Sequence, residues 1–316
     1  MDIVTFELCH AAEAVCLAEK QLNDECAAVS ALQKASVPEL QSLANGLGVA
    51  AMENGRLVGY LGAYGPFKGM FGTWGTCFER QFVGVFSPIQ AHGVAPDAPP
   101  KTWQRMYQAA AEKWVQAGAA HHAIALYEHD AAAKAALFRY SFGQRCADAI
   151  RLVEPIGAAA VPGVSCCELP AGSAELVREL RRGLDEHLCK SPCFMARTDE
   201  GRHAWLEAVK HRDSRLFAAM AAGEVISFIE VTDAGENFLT DRPEMRNICG
   251  AYCVPEWRGK GVSKLLLDHV LQTLQAEGAR CLGVDYETIN PTAAGFWEKY
   301  FEPYTASLVR RVDCIP

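Results

Sequence analysis

The feature that most restricts the fold of this chain is an internal repeat. Residues 109–153 and 269–312 follow one order: an amphipathic helix ending at a glycine, a short apolar strand, a second helix ending among aromatic residues, and a closing strand. The helix-ending glycines, Gly118 and Gly278, lie 160 residues apart, and the later aromatic residues keep that offset to within one residue. An order that matches over about 45 residues favours duplication over chance similarity.

Each half also contains a predicted strand pair. Two apolar runs flank Asn54-Gly55, a dipeptide typical of hairpin turns, and two more flank Ala222-Gly223-Glu224. Mixed sheets with helices on their faces follow, so we predict an α/β fold, an α+β arrangement of mixed sheets, in two similar domains. A segment rich in Pro, Gly and Ala lies between the copies. The predicted division is a domain at residues 1–154, a linker at 155–163 and a domain at 164–316.

Composition narrows the class of protein. The net charge of −8 disfavours a nucleic-acid-binding surface, which needs clustered Lys and Arg. The first ten residues lack the pattern of a secretory signal, and no apolar run reaches the length of a membrane span. The 13 cysteines include no C-x2-C pair and no partnering histidine cluster, so no metal site is predicted. We therefore expect a cytoplasmic protein with reduced thiols and without nucleic-acid or membrane partners.

A glycine-rich loop carries the strongest chemical signal. The apolar run at residues 248–254 predicts a strand that leads through Pro255 into Arg258-Gly259-Lys260-Gly261 and then a helix at 262–276. Leu265, Leu266, Val270 and Leu274 form its predicted apolar face, with Asp268, Gln272 and Gln275 outside. Exposed amides at a helix N-terminus, joined by Arg and Lys side chains, favour binding of a pyrophosphate. Neither the Walker pattern nor the Rossmann pattern of glycines is present.

The loop and the segment after it resemble a known family. V-P-x-x-R-G-x-G-V from Val254 to Val262, N-P-T-A from Asn290 and F-W-E-K from Phe296 are similar to the acetyl-CoA-binding segments of the GNAT superfamily of N-acetyltransferases. With the internal repeat, the whole chain resembles a tandem protein with two GNAT-like acyl-CoA N-acyltransferase domains. The resemblance implies a splayed sheet that holds acetyl-CoA as co-substrate, without a metal, and direct transfer of the acetyl group to an amine of a small molecule or peptide.

The resemblance also implies roles for individual residues. Backbone groups before the loop would pair with the pantetheine arm, loop amides would hold the pyrophosphate, and Asn290 and the following helix would flank the thioester. The implied cofactor-binding residues are Tyr252, Cys253, Val254, Arg258, Gly259, Lys260, Gly261, Val262, Ser263, Asn290 and Trp297. Two of them depart from the family pattern: Ser263 replaces the usual Gly or Ala, and Trp297 stands where many members have an acid tyrosine.

Several residues could therefore perform the catalytic steps. A tyrosine hydroxyl could protonate the leaving thiolate, and a carboxylate could accept the proton of the amine. The candidate acids are Tyr300 and Tyr286, and the candidate bases are Glu230, Glu287 and Glu244. Asp285 lies inside a predicted apolar strand, where its carboxylate has either a structural or a functional role. Of these, Glu230, Glu287 and Tyr300 are the predicted catalytic residues.

The first half lacks the loop. Residues 98–103 align with it, contain no glycine and include two prolines that remove amide donors. We therefore predict that only the second copy binds CoA, and we interpret His92, His121, His122 and His129 as structural. Two other functions stay open: a non-catalytic acyl-CoA-binding protein, and an aminoacyl transferase of the Fem type, whose fold is also doubled. The acidic charge and the CoA-type loop weigh against the latter.

Overall fold

The computed structural model describes residues 1–68, 83–195 and 214–313, together with His203, Trp205, Glu207 and Val209. The chain divides into two compact units. The first comprises Met1–Asp148, Glu287–Ile289 and Pro303–Pro316, and the second comprises Ala149–Tyr286 and Asn290–Glu302. No helix among the described residues is long and apolar enough to cross a membrane.

The described elements of the first unit are β1 (Asp2–Thr5), α1 (Ala11–Ala28), β2 (Val49–Glu53), β3 (Arg56–Leu61), β4 (Tyr64–Phe67), β5 (Gly84–Ser87), β6 (His92–Val94), α2 (Thr102–Gln116), β7 (His121–Tyr127), α3 (Ala131–Phe138), β8 (Gly143–Leu152) and β15 (Thr305–Arg311). An antiparallel sheet has the order β1-β2-β3-β6, and a mixed sheet has the order β4-β5-β7-β15-β8, in which β5 and β7 are parallel. Residues 149–152 of β8 belong to the second unit.

The described elements of the second unit are β9 (Val164–Glu168), α4 (Arg178–Leu188), β10 (Arg215–Ala221), β11 (Glu224–Thr232), β12 (Met245–Cys253), α5 (Val262–Ala276), β13 (Cys281–Glu287), α6 (Pro291–Trp297) and β14 (Glu302–Pro303). They form a mixed sheet with the order β8-β13-β12-β11-β10-β9. Strands β12 and β13 are parallel, and β9 to β12 are antiparallel. The predicted mixed-sheet α/β fold is confirmed.

Both predicted hairpins are present, and the backbone explains them. Asn54 and Gly55 have φ values of 52° and 78°, and Ala222 and Gly223 have φ values of 51° and 86°. Two consecutive residues with positive φ form the turn whose twist matches that of antiparallel strands. These turns join β2 to β3 and β10 to β11.

One prediction for α5 is wrong. Gln272 and Gln275 are exposed as expected, but Asp268 is buried on the inner side of the helix. Its carboxylate accepts hydrogen bonds from the amides of Ile156 (2.6 Å), Gly157 (3.2 Å) and Ala158 (3.1 Å). The first residues of the segment predicted as a linker therefore pack on α5. Asp268 supplies the hydrogen-bond acceptor for backbone amides that this packing removes from water.

Candidate active site

The parallel strands β12 and β13 separate part-way along their length. Their ladder runs from Met245 and Cys281 to Ile248 and Val284. Beyond that point β12 continues to Cys253, paired with β11. The register of β11 and β12 skips Cys249, which makes a bulge at the point of separation. A bulge bends its strand and increases the local twist, so it accounts for the divergence of β12 from β13.

The diverging arm of β12 leads directly into the glycine loop. After a 3-10 turn at Pro255–Trp257, Gly259 and Gly261 adopt φ values of 72° and 85°, a region that residues with a Cβ rarely occupy. Gly261 is the N-cap of α5 and provides no side-chain cap. The N–H groups of the first helical turn have no partners within the helix, and Gly259, Lys260 and Gly261 are exposed. The loop therefore presents backbone donors to solvent at the positive end of a 15-residue helix.

The two cationic side chains of the loop differ in their contacts. Arg258 donates from Nε to the carbonyl of Cys253 at 2.9 Å, and its guanidinium lies 5.1 Å from the centre of the Tyr252 ring. Lys260 places its Nζ 5.2 Å from the ring centre of Trp257. Arg258 thus helps to hold the loop against β12, and both Arg258 and Lys260 are exposed positive charges for an anionic ligand.

The remaining predicted cofactor residues in and beside the loop are either buried or intermediate in exposure. Val262 is 1% exposed and packs in the core, so only its backbone could face a ligand. Burial raises the pKa of the Cys253 thiol, and hydrogen bonds with the hydroxyls of Ser263 and Ser227 oppose that rise. Ser263 is intermediate in exposure and lies in the first turn of α5. Val254 is intermediate in exposure and continues the arm of β12.

Asn290 and Trp297 lie at the two ends of α6. Asn290 is the N-cap; its Oδ1 accepts hydrogen bonds from the amide of Thr292 at 3.2 Å and from His187 Nε2 at 3.2 Å. Trp297 is 6% exposed, and its ring lies 4.8 Å from that of Phe296 and 5.4 Å from that of Phe301. Both side chains make clear structural contacts, and their proposed approach to the cofactor stays a prediction.

Glu230 is the predicted base that lies at the separation of the strands. It is 1% exposed and sits on β11 directly opposite Gly250, the residue that follows the bulge. Its Oε2 accepts a hydrogen bond from Trp205 Nε1 at 3.1 Å. Its Oε1 is buried and has no hydrogen-bond partner among the described residues. A buried carboxylate oxygen without a donor is costly, which is typical of a group that receives a ligand or a proton.

The other catalytic candidates have different surroundings. Glu287 belongs to the first unit and pairs with Arg145 at 3.3 Å, so the structure does not group it with Glu230. Tyr300 packs its ring 5.1 Å from that of Phe296. The hydroxyl of Tyr286 donates to Glu298 at 3.1 Å. Glu244 pairs with Arg242 at 2.9 Å, and Asp285 is exposed on β13.

Sequence reasoning missed the part of the site that comes from α4. Arg181 and Asp185 lie on this helix with side chains only 13% and 3% exposed. Arg181 stacks over Trp205 at 5.0 Å, and Gly183 lies against the Tyr252 ring. The available signal was Gly183 inside a helical pattern, because an internal glycine often marks close packing.

The first unit contains a similar separation of strands without the loop. The parallel ladder of β5 and β7 runs from the pair Gly84–His121 to the pair Ser87–Ile124. The next strand, β6, pairs with β3 and not with β7. His92, fully buried, donates from Nε2 to the carbonyl of Ala125 at 2.7 Å. The α2 helix starts at Thr102 after Lys101, which takes a positive φ of 67°, and no glycine lies in this turn.

The geometry agrees with a match to a known protein family. Residues 183–302 match the model of the Acetyltransferase (GNAT) family. This segment of the chain is similar to the GNAT domain. The matched residues include the separation of β12 from β13, the glycine loop and α6. No curated protein sequence gives a significant match.

Solved structures show the same fold over nearly the whole chain. A GCN5-related N-acetyltransferase from Sphaerobacter thermophilus is 12% identical, with 99% of this chain and 97% of that chain covered and a TM-score of 0.59. A GNAT-family acetyltransferase from Colwellia psychrerythraea is 10% identical, with coverage of 99% and 100% and a TM-score of 0.50. A tandem GNAT protein from the clavulanic acid biosynthesis pathway is 15% identical, with coverage of 99% and 99% and a TM-score of 0.47. The two structures with TM-scores of 0.59 and 0.50 show that the chain shares the GNAT fold.

Proposed function

We propose that this protein is an N-acetyltransferase that transfers the acetyl group of acetyl-CoA directly to an amine. One observation carries the proposal: within the segment that is similar to the GNAT domain, the ladder of β12 and β13 ends at Ile248 and Val284, and β12 alone continues into the loop of Gly259 and Gly261. The GNAT family supports an acyltransferase, and this arrangement supports acetyl-CoA as its donor.

The residues of the loop fit the pyrophosphate of a CoA molecule. A Cβ built on Gly259 would meet no atom within 4 Å, and one built on Gly261 would meet only Val161, at 3.6 Å. Open space above two glycines lets a ligand approach the backbone closely, and the amides of the first turn of α5 supply the donors. Lys260 adds a positive charge. The arm of β12 before the loop would pair with the pantetheine chain.

The residues of the site suggest how the transfer occurs. Acetyl-CoA, when bound, supplies an acetyl group activated as a thioester. Glu230, buried beside the point of separation, accepts a proton from the amine, because its Oε1 has no other donor among the described residues. The site holds the resulting neutral amine in position for attack, which lowers the entropic cost of the reaction. Tyr300 is the proposed proton donor to the leaving thiolate, since the hydroxyl of Tyr286 already donates to Glu298.

Calorimetric titration with acetyl-CoA, together with an assay of thiol release, tests the proposal. Lys260→Glu is expected to weaken acetyl-CoA binding about tenfold or more at low salt, because it reverses a charge beside the phosphates. Lys20→Glu, the reversal of an exposed charge on α1, is the control and should bind normally. Glu230→Gln should retain acetyl-CoA binding and lose about 10²–10⁴ in the rate of transfer.

Three outcomes separate the alternatives. Absence of acetyl-CoA binding by the unmodified protein would contradict the cofactor assignment. Equal affinities of the Lys260→Glu and Lys20→Glu variants would contradict the role of the loop. Tight acetyl-CoA binding without thiol release, with every amine offered, would favour a non-catalytic acyl-CoA-binding protein.

A further inference from the structure

The segment between the two sequence copies, residues 155–163, contacts α5 at two points. At the first, the carboxylate of Asp268, which is 4% exposed, accepts hydrogen bonds from the backbone amides of residues 156–158. At the second, a Cβ built on Gly261 would lie 3.6 Å from Cγ2 of Val161. Because Gly261 is the N-cap of α5, this second contact lies at the end of the helix that carries the glycine loop.

The spacing of the two contacts shows how the segment runs. Asp268 follows Gly261 by seven residues, which is about two helical turns, so the two lie on one face of α5 and about 10 Å apart along its axis. The three residues from Ala158 to Val161 span about 10 Å when they are extended. The segment therefore runs antiparallel to α5 with little excess length, and the bonds to Asp268 determine where Val161 lies.

The backbone on the other side of Val161 is also fixed. Val164 donates its amide to the carbonyl of Val161 at 3.0 Å, Gly163 takes a φ of 73°, and the chain then enters β9. Nε2 of Gln272 donates to Asp268 at 3.0 Å, so this buried carboxylate receives one further hydrogen bond from α5 itself. A buried carboxylate is costly unless it is well hydrogen-bonded. Asp268 takes no part in the proposed transfer, and its contacts account for its burial by the placement of the segment.

We infer that residues 158–161 form one wall of the acetyl-CoA site, with Val161 beside the phosphates, and that Asp268 is the positioning residue for this wall. The inference rests on the proposed function, since it adds a wall to the site proposed there. Val161 borders the open space above Gly261 that favours close approach of a pyrophosphate. An apolar side chain at this border excludes water, and hydrogen bonds from amides to a phosphate are stronger where the local dielectric is lower.

The sign of a charge placed at position 161 tests whether this side chain lies beside the phosphates. Val161→Asp should weaken acetyl-CoA binding at least about tenfold at low salt, because like charges then repel across a few ångströms. Val161→Lys loses the same valine, yet it should bind acetyl-CoA at least about tenfold more tightly than Val161→Asp. A purely structural role of the valine would weaken both variants alike. Calorimetric titration with acetyl-CoA supplies the dissociation constants.

The neighbouring Ala160 supplies the matched control. It is exposed, and successive side chains of an extended segment point to opposite sides, so Ala160→Asp places the same charge away from the loop. We expect less than about a threefold change in the dissociation constant of acetyl-CoA for this variant. Equal affinities of Ala160→Asp and Val161→Asp would overturn the inference, as would equal affinities of Val161→Asp and Val161→Lys.

Hydrogen exchange tests the role of Asp268. Saturating acetyl-CoA should slow exchange of the amides of residues 156–158 and of Val164 at least about threefold, because ligand binding and packing of the segment stabilise each other. Asp268→Asn, which keeps one acceptor oxygen, should speed exchange of the same amides. In the transfer assay it should raise KM for acetyl-CoA at least about threefold with little change in kcat.

The outcomes separate this inference from the proposed function. No acetyl-CoA binding by the unmodified protein would contradict both. Acetyl-CoA binding that leaves exchange of residues 156–158 unchanged, with Val161→Asp binding as tightly as the unmodified protein, would contradict only the wall formed by the segment.

Discussion

Individual buried side chains in the first unit link its stability to pH. His122 is fully buried on β7, and its Nδ1 lies 2.9 Å from the hydroxyl of Tyr107. Arg310 donates to the same hydroxyl at 3.1 Å, so the hydroxyl proton is available to the imidazole. Burial, and secondly the positive charge of Arg310, lower the pKa of His122 from 6.5 to about 4. The folded unit therefore holds this histidine in its neutral form.

We predict that the first unit loses stability as the pH falls from about 6.5 to about 4. In this window the unfolded chain binds a proton at His122 and the folded chain does not, so acid favours unfolding; above pH 6.5 the contribution is constant. The depressed pKa corresponds to a change of about 3 kcal/mol in the free energy of unfolding. Denaturant unfolding at several pH values measures this change together with the contributions of other titrating groups. His122→Gln, which keeps a hydrogen-bonding group, should flatten the profile.

The exposed His203 supplies the control for this measurement. His203→Gln should leave the pH profile of stability unchanged, because the residue is exposed. A profile that keeps its full slope in His122→Gln would contradict the assignment. Burial also lowers the pKa of His92, so some acid dependence is expected to persist in this variant.

At the level of elements, the placement of α4 depends on a glycine. Gly183 lies within the helix, where glycine is less favourable than alanine by about 1 kcal/mol. The ring of Tyr252 occupies the position that a side chain would take, and Arg258 stacks on the same ring. Glycine at position 183 therefore lowers the helix propensity of α4 but allows the helix to pack directly on the diverging arm of β12.

We predict opposite effects of the same substitution at two helical glycines. Gly183→Ala places a Cβ 2.8 Å from the Tyr252 ring, so it should destabilise the second unit by about 1–3 kcal/mol and raise KM for the amine. Gly295→Ala, on α6, meets no atom within 4 Å and should stabilise by about 0.5–1 kcal/mol. Thermal unfolding and steady-state kinetics of both variants provide the measurement. A Gly183→Ala protein as stable and active as Gly295→Ala would contradict the close packing.

The sequence predicted those elements whose causes are local. The hairpins follow from turn residues with positive φ, and the glycine loop follows from a strand, two glycines and an apolar helix face. Asp268 was misplaced because a charge in an amphipathic pattern suggests an exposed position, whereas its partners are amides about 110 residues earlier in the chain. Arg181 and Asp185, four residues apart, look like a surface ion pair for the same reason. The separation of β12 from β13 depends on a bulge at Cys249, for which the sequence carries no clear signal.

At the scale of the whole molecule, the last strand of the chain belongs to the first unit. β15 pairs with β7 on one side and with residues 143–146 of β8 on the other. Ala306 and Leu308 are buried in the same core as Trp114 and Ile124. The predicted domain boundaries at residues 154 and 164 assume that each copy folds from consecutive residues, and they stay a prediction. The pairing of β15 shows that the first unit includes residues from near the C-terminal end.

We therefore predict that a substitution near the C-terminus weakens the first unit and spares the second. Leu308→Ala removes a side chain that is 6% exposed from the core of the first unit, at a cost of about 2–4 kcal/mol. Hydrogen exchange followed by mass spectrometry should show faster exchange in β7, about 180 residues away in sequence, with β12 unchanged. Leu274→Ala, fully buried on α5, is the matched control and should produce the reverse pattern. If Leu308→Ala instead accelerated exchange in β12 alone, the assignment of β15 to the first unit would be wrong. Because the first unit includes β15, the first sequence copy on its own is not expected to form the complete unit.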